Sequence, residues 1–277
     1  MTLDPRLPSP LPPSWRVDLH CHTDRSDGRH SADELLRAAA LGGIDVLAIT
    51  DHDLPPAWPA GPVEIEGRPI WLLHAVELTG VWEGVEQHLL VYFPGEMPQD
   101  FRALCRSRAQ VRAARYDEAI RRLGLGGLAP ADDAALAGER ALTSFHLAQA
   151  MVQAGHAKNR AEAFGRLGKL MPIQDLPFAE GIRLAREAGG VAVWAHPELH
   201  RAMAWTGKLA KVGLQGMEGI RPGLGKSVRN TLRTLSRKHG VFLAGGSDWH
   251  GWHPMRLGDF TLDAQQAAPF VAALGRG

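Results

Sequence analysis

The stretch at residues 17–28, which reads VDLHCHTDRSDG, constrains this chain more than any other. Its length suits a short buried strand followed by the residues at the end of that strand. It carries four potential metal donors within ten residues. These are Asp18, His20, His22 and Asp27. Residues two apart in an extended chain point to the same side, so His20 and His22 can reach one ion from one strand end. The spacing therefore predicts a metal site at the end of a strand.

A single His-x-His pair is weak evidence, because two histidines can equally be surface residues or hydrogen-bonded core residues. The pattern repeats, however, since further short apolar runs carry His, Asp or Glu at or near their ends. These runs occupy residues 44–53, 70–77, 86–93, 191–197, 214–218 and 241–250. The collected metal-ligand candidates are His20, His22, Asp27, His52, Glu77, His88, His196, Asp248 and His250. So many donors suit two or three divalent ions that share a bridging carboxylate. Mixed imidazole and carboxylate ligands favour Mn first, with Zn or Fe as alternatives, over Ca or Mg.

The bulk composition excludes some classes of partner. The chain has 277 residues, of which 45% are hydrophobic, enough for one large domain or a barrel with an insertion. Lys plus Arg is 31 and Asp plus Glu is 30, so no global basic field favours duplex DNA or a membrane surface. Cys21 and Cys105 form no disulfide framework, and no apolar segment has the length of a signal peptide or membrane span. A cytoplasmic location is expected, and the oligomeric state is left open.

The order of patterns along the chain predicts a barrel. Residues 1–14 are proline-rich and are expected to form a flexible tail. Ser31 and Glu34 form a capping box before a helical run that ends at Gly42. The strand that follows is apolar on both faces, as in a parallel sheet covered by helices. This alternation predicts a TIM-like barrel over residues 15–97 and 176–277, with the donors at the carboxyl ends of its strands.

Three segments interrupt the alternation. Residues 54–69 contain five prolines and are predicted to be a loop rather than a helix. Residues 81–93 are predicted to form a hairpin with its turn at Glu83 and Gly84, placing His88 opposite the Glu77 strand. Residues 98–175 show helical periods and are predicted to be a helical insertion. The first helix of this insertion is rich in arginine, which indicates either a solvated face or a wall that holds phosphates.

Other polar residues near the strand ends have less specific patterns. His146 is a candidate phosphate contact or an ordinary half-buried helix residue. Arg25 and Arg221 are the candidate phosphate-binding arginines, because both fall in loops at the donor-bearing end. Glu218 either orients a ligand histidine or is a surface carboxylate. The residues His74, Asp51 and Asp53 are expected to support the structure or the ligands, and Cys21 is expected in the core.

The ordered motifs DLHCHTDRSDG, TDHD, AVE, QHLL, AHP and GSDWH resemble those of the PHP family, the polymerase and histidinol phosphatase superfamily of metal-dependent phosphoesterases. The resemblance covers about residues 17–259. The expected fold is then α/β, a distorted TIM-like (β/α)7 barrel with an inserted helical subdomain. The helical insertion resembles the branch that removes nucleotides from short 5′-phosphorylated RNA or dephosphorylates 3′,5′-bisphosphonucleotides. A phosphorylated nucleotide or short RNA is therefore the expected substrate, attacked by a metal-held hydroxide.

The resemblance also implies how the donors divide among ions. One ion would take His20, His22, Glu77 and Asp248; a second would take Asp27, His52 and His250; a third would take Glu77, His88 and His196. Glu77 would bridge two ions. The chain departs from the family pattern in the loop at residues 54–69, before His146 and after Glu218. The alternatives are an amidohydrolase-type metal hydrolase, which usually needs a lysine at a strand end, and a non-catalytic module, which would lack ligands.

Overall fold

The structure is a computed structural model that describes residues 7–168 and 174–275. The strands are β1 (Arg16–Cys21), β2 (Val46–Ile49), β3 (Gly61–Ile65), β4 (Arg68–Trp82), β5 (Val85–Phe93), β6 (Val191–Trp194), β7 (Gly216–Ile220), β8 (Phe242–Gly245) and β9 (Leu262–Asp263). The helices of the first half are α1 (Ala32–Leu41), α2 (Gln99–Leu123), α3 (Asp133–Leu136), α4 (Ser144–Gln153) and α5 (Arg160–Leu167). Those of the second half are α6 (Phe178–Glu187), α7 (Leu199–Lys211), α8 (Lys226–His239) and α9 (Ala264–Leu274).

The strands form one sheet that curls into a nearly closed barrel, so the predicted α/β barrel is confirmed. The order is β8-β7-β6-β5-β4-β2-β1-β9, with β3 paired to β4 at the side. Neighbours in this order run parallel except at β5, which is antiparallel to both β4 and β6, and at β9, which is antiparallel to β1. The β4–β5 hairpin turns between Trp82 and Val85, as predicted. His88, near the start of β5, therefore lies at the same barrel end as the carboxyl ends of the parallel strands.

The barrel closes between β1 and the segment that follows β8. The His22 amide donates to the Trp249 carbonyl at 2.9 Å, and the Ser247 amide donates to Asp18 Oδ1 at 2.8 Å. Gly246 permits this approach, because a Cβ there would lie 2.5 Å from the His20 Cβ. The two chain ends of the barrel thus meet at the residues that carry candidate ligands.

Local sequence explains the helices and strands around this closure. Ser31 caps α1 in the predicted capping box with Glu34, and Gly42 ends the helix. Alternate residues of β2 join two apolar clusters: Leu47 and Ile49 pack in a cluster with residues of α1, while Val46 and Ala48 pack in a cluster with residues of α9. A strand covered on both faces is therefore apolar at every position.

Some segments differ from their sequence-based expectation. The region 54–69 is not wholly a loop, because its Gly61–Ile65 part pairs with β4 as strand β3. Residues 1–6 of the expected flexible tail lie outside the described residues. In the part of the tail that the structure describes, residues 7–14, Leu11 is buried in the core. Helices α2 to α5 follow one another between β5 and α6. None of the helices in residues 7–168 and 174–275 has the length and apolar character needed to cross a bilayer.

The arginine-rich helix α2 is attached to the barrel rather than simply solvated. Arg112 is buried and donates to Asp53 Oδ2 at 2.5 Å and to Thr79 Oγ1. Arg108, also buried, contacts Asp175 at 2.6 Å. These contacts hold the helix against the barrel beside the donor-bearing end. The solvated-face interpretation therefore fails for these two arginines, because both are buried and each is paired with a carboxylate.

Candidate metal centre

Four of the predicted ligands face one point at the carboxyl end of the barrel. His20 Nε2 lies 3.1 Å from His22 Nε2 and 3.3 Å from Asp248 Oδ1. Glu77 Oε2 lies 3.4 Å from His20 Nε2 and 3.3 Å from His22 Nε2. Two ligands about 2.1 Å from one ion, at the tetrahedral angle, are separated by about 3.4 Å. The spacing among these four side chains is therefore that of ligands sharing an ion.

The other oxygen of Glu77 faces a second group. Glu77 Oε1 lies 2.9 Å from His196 Nε2 and 3.0 Å from His88 Nδ1, and these two nitrogens are 3.3 Å apart. The carboxylate thus presents one oxygen to each group. This is the arrangement that a bridging ligand requires.

A third group forms around Asp27. Its Oδ1 lies 3.3 Å from His250 Nε2, and its Oδ2 lies 3.5 Å from His52 Nε2. His52 also reaches the first group, because its Nδ1 is 3.1 Å from Glu77 Oε2. The structure therefore brings all nine sequence-predicted donors together in three adjoining groups.

The loop that carries Asp27 is held in place by hydrogen bonds to a buried carboxylate, that of Asp51. Asp51 accepts hydrogen bonds from the Thr23 amide at 2.8 Å, from Thr23 Oγ1 at 2.6 Å and from Ser26 Oγ at 2.6 Å. These bonds fix the loop that carries Asp27. Gly28 ends that loop where a Cβ would lie 2.2 Å from the His22 carbonyl oxygen. Asp51 is thus a supporting carboxylate.

Two candidate ligands have backbones in the left-handed region. His196, after β6, has φ 29°, and Asp248, after β8, has φ 52°. Such conformations cost a non-glycine residue on the order of 1 to 3 kcal/mol and persist where surrounding structure enforces them. Their occurrence at two donors indicates that the surrounding structure enforces an unfavourable backbone conformation which directs these side chains toward the other donors.

Glu218 orients two of the histidines. Its Oε1 lies 3.1 Å from His20 Nδ1, which leaves His20 Nε2 facing the donors, and its Oε2 accepts the His196 amide at 2.6 Å. A carboxylate behind a histidine fixes the ring orientation and raises its basicity as a ligand. The side chain of Glu218 is fully buried, so a surface carboxylate is excluded.

The electrostatics of the cluster suit a cation. Burial alone lowers the pKa of His22, but Asp248 and Glu77 outweigh it and raise that pKa to about 10. Burial raises the pKa of Glu77, yet His52, His88 and His20 hold it well below its usual range. Without an ion the cluster therefore keeps the Glu77 carboxylate charged and draws a proton onto the His22 imidazole. A metal ion would displace that proton.

Unpaired buried atoms provide the test of whether a metal fits. Among the described residues, no Lys or Arg forms an ion pair with Asp27, Glu77 or Asp248, whose partners are histidines. Asp27 Oδ1, His52 Nδ1 and Glu77 Oε2 are buried without a hydrogen-bond partner. Buried polar atoms normally have one, and divalent ions would supply it here. The donor set therefore fits divalent metal.

The donors open onto a cavity of about 740 Å³, lined by Asp27, His52, His88, Asp248 and His250 among others. Of the predicted phosphate contacts, Arg221 lies beside it, with its Nε buried and without a hydrogen-bond partner, in an adjoining cavity that Asp248 also lines.

The other two predicted phosphate contacts, Arg25 and His146, already have hydrogen-bond partners within the protein. Arg25 donates to the carbonyls of Pro55 at 2.9 Å and Glu139 at 3.4 Å, so its guanidinium joins two loops. His146 accepts the Thr143 amide on Nδ1 at 3.1 Å in the capping box of α4, which leaves Nε2 as the donor of the neutral ring. It lines a second cavity of about 440 Å³, and burial lowers its pKa to about 4.

The remaining predicted polar residues support the fold. Buried His74 faces the Trp58 carbonyl at 2.6 Å and accepts the Met97 amide at 2.9 Å. Asp53 accepts the Thr79 amide and the Arg112 guanidinium. Cys21 is a core residue, as expected. Sequence reasoning did not single out Phe145, Trp252 or Arg160, although they line the 740 Å³ cavity. The signal available was the tryptophan two residues after His250.

No protein-family model matches the chain. The 5'-3' exoribonuclease Rnm of Salmonella typhimurium is 32% identical over 249 residues, which are 84% of this chain and 84% of that protein. The chain belongs to the family of this exoribonuclease. The chain is also similar to the 3',5'-nucleoside bisphosphate phosphatase of Chromobacterium violaceum, which is 26% identical over 84% of this chain and 87% of that protein.

A solved structure agrees with this family. A putative metal-dependent phosphoesterase from Bifidobacterium adolescentis is 26% identical, with a TM-score of 0.72 over 95% of this chain and 97% of that chain. The predicted hydrolase of phosphoester bonds is confirmed. Family membership therefore favours a phosphoesterase over both an amidohydrolase-type enzyme and a non-catalytic module.

Proposed function

We propose that this chain hydrolyses phosphate esters of short 5′-phosphorylated RNA in the manner of a 5′-3′ exoribonuclease, through a PHP-type site of two to three divalent ions. The observation that carries the proposal is the position of Glu77, whose two oxygens face two groups of histidines at 2.9 to 3.4 Å. The name of the Salmonella typhimurium relative supports the reaction. Mn is the first candidate metal, with Zn and Fe as alternatives.

The donors would divide as the geometry groups them. His20, His22, Asp248 and Glu77 would hold one ion, Glu77 with His88 and His196 another, and Asp27 with His52 and His250 a third. Divalent ions in such a site lower the pKa of water to near 7 and stabilise charge on both oxygens of an in-line displacement at phosphorus.

Other residues of the chain would hold the ligands in position and bind the phosphate of the substrate. Glu218 holds the ring of His20 and the backbone of His196 in position, because one oxygen contacts His20 Nδ1 and the other accepts the His196 amide. Asp51 holds the loop of Asp27. Arg221 has a buried guanidinium nitrogen without a partner and is the best placed of the predicted arginines to donate to a phosphate oxygen. A charge-assisted hydrogen bond of that kind contributes about 1.5 to 3 kcal/mol.

A second candidate activity is removal of the 3′-phosphate from a 3′,5′-bisphosphonucleotide. The name of the Chromobacterium violaceum relative supports it. The bond broken is again an ester on the 3′ side of a 5′-phosphorylated ribose, so the same site could serve both reactions. A cytoplasmic location and the lack of duplex DNA binding stay predictions.

The test is a kcat/KM panel with Mn-loaded protein. The substrates are a 5′-phosphorylated RNA pentamer, its 5′-hydroxyl counterpart, adenosine 3′,5′-bisphosphate and p-nitrophenyl phosphate. We expect mononucleotides to be released from the phosphorylated pentamer with kcat/KM roughly 10- to 10⁴-fold above that for p-nitrophenyl phosphate. A higher value for the bisphosphate than for the pentamer favours the second candidate. Equal values for all four substrates contradict both.

A further inference from the structure

An aromatic and cationic cluster lies at the edge of the metal-site cavity. The rings of Phe145 in α4 and Trp252 in the loop after β8 have centroids 5.1 Å apart, with their planes inclined by 37°. The Arg160 guanidinium carbon lies 5.0 Å from the Phe145 centroid and 6.0 Å from that of Trp252. The Arg29 guanidinium carbon lies 5.9 Å from the Trp252 centroid. We call these four residues the stacking cluster.

The stacking cluster is tied to the metal centre. Trp252 Nε1 donates to the backbone carbonyl of Asp27 at 2.7 Å, so the indole is fixed to the loop that carries a candidate ligand. Phe145, Arg160 and Trp252 line the same 740 Å³ cavity as the donors. The two rings also line the 440 Å³ cavity, so they form part of the wall between the two spaces. A ligand held at the metal centre and extending through this cavity can therefore contact these rings.

The surface chemistry of the stacking cluster is unusual for a packing contact. Trp252 is 36% exposed, although large aromatic side chains are normally well buried. Within residues 7–168 and 174–275, neither Arg29 nor Arg160 forms a salt bridge, whereas Arg108 and Arg112 of the neighbouring helix do. An exposed ring beside unpaired guanidinium groups matches a ligand that has a flat π-system and negative charge. A nucleotide has both.

We propose that the stacking cluster binds a nucleobase flanking the scissile phosphate, with Trp252 and Phe145 as the stacking surface and Arg160 and Arg29 pairing with adjacent phosphates. The inference rests on the proposed function and adds how its substrate is recognised. Because every base has a π-face, stacking accepts any sequence. The enzyme would therefore require a base next to the cleaved bond without reading which base it is.

The test compares base-containing and base-lacking substrates. Three 5′-phosphorylated RNA trimers are used: one unmodified, one without the first base and one without the second. We expect loss of the base at one of these positions to lower kcat/KM of the wild type by about 10- to 100-fold, the effect of one stacked base. Trp252→Leu should lower kcat/KM for the unmodified trimer by a similar factor and leave that base-lacking trimer unchanged. Phe145→Leu should act in the same direction.

Controls separate stacking from a structural role of the indole. Trp58→Leu, in the loop at residues 54–69 and outside this cavity, should leave all ratios as in the wild type. A Trp252→Leu enzyme that loses activity equally on all three trimers would overturn the inference, because the indole would then only support Asp27. So would a wild type that cleaves all three trimers equally well.

A binding measurement keeps the inference separate from the proposed function. Fluorescence anisotropy with a 3′-labelled version of each trimer reports Kd on metal-free protein, where the proposed hydrolysis cannot occur. We expect Kd for the base-containing trimer to rise about 10- to 100-fold in Trp252→Leu and to stay unchanged in Trp58→Leu. Failure of the wild type to hydrolyse any phosphate ester contradicts the proposed function. Equal Kd values for base-containing and base-lacking trimers contradict only the stacking cluster.

Discussion

Replacing Glu77 by Gln is the sharpest perturbation of the metal centre. The amide keeps the volume of the side chain but removes the negative charge and turns one oxygen into an N–H donor. Oε1 is 2.9 Å from His196 Nε2, and Oε2 is 3.1 Å from His52 Nδ1, so whichever side receives the amide nitrogen loses a ligand. Removing a single outer partner of a metal ligand already costs 10- to 100-fold. A ligand shared by two groups should cost at least about 10²-fold in kcat/KM, or about 2.7 kcal/mol.

The assay for Glu77→Gln has two readouts. Elemental analysis after dialysis should show at least one ion fewer per chain than the wild type, and kcat/KM should fall as stated. Glu83→Gln is the matched control, because Glu83 lies in the turn of the same hairpin, is exposed and pairs with Lys208. Thermal melting checks that both variants fold. Near-normal turnover and metal content in Glu77→Gln would refute the bridging role.

Three further predictions follow from contacts outside the nine donors. Glu218→Gln should weaken metal binding by roughly 10- to 100-fold, measured by chelator competition, with less loss of activity than Glu77→Gln; unchanged affinity would mean that it orients nothing. Arg112→Leu should lower the free energy of unfolding by about 3 to 5 kcal/mol in urea, because it leaves Asp53 buried and unpaired, and adding Asp53→Asn should recover part of that loss. The pKa of His146 in the folded chain, about 4, lies below its ordinary 6.5, so protonation favours unfolding and stability should fall as the pH drops from about 6.5 to about 4. His146→Gln should remove up to about 3 kcal/mol of that decline; identical pH profiles would contradict the buried neutral ring.

The sequence predicted which donor side chains come together, because that information is local. Each donor follows a short apolar run, and a barrel brings the carboxyl ends of its strands to one rim, so the positions of His20, Glu77 and Asp248 required no knowledge of distant pairing. The hairpin that carries His88 was predictable for the same reason, since Glu83 and Gly84 mark its turn. Period-two alternation and turn chemistry act over a few residues, so both can be recognised from the local sequence alone.

The parts that sequence reasoning missed depend on contacts between distant segments. Whether Arg112 is solvated or buried depends on Asp53, which lies 59 residues earlier in the chain. Residues 61–65 were expected in a loop because prolines surround them, yet Pro62 and Pro69 are tolerated where β3 pairs only with β4 at the side of the barrel. Nothing in the local pattern of Arg25 indicates that the carbonyls of Pro55 and Glu139 will occupy its guanidinium.

The pairing of the arginines changes where phosphate recognition should be sought. The sequence suggested Arg25 and the arginine-rich helix, but Arg25 is bound to carbonyls, and Arg108 and Arg112 are bound to carboxylates. Arg112 is held by the buried carboxylate of Asp53 and Arg108 by the exposed carboxylate of Asp175, so the charge of both guanidinium groups is already paired. Attraction of an anionic substrate is therefore expected from the ions themselves and from cations without an ion pair among the described residues, such as Arg221 after β7 and Arg160 at the start of α5. Substrate choice is then expected to depend on these cations rather than on Arg108 and Arg112 of α2.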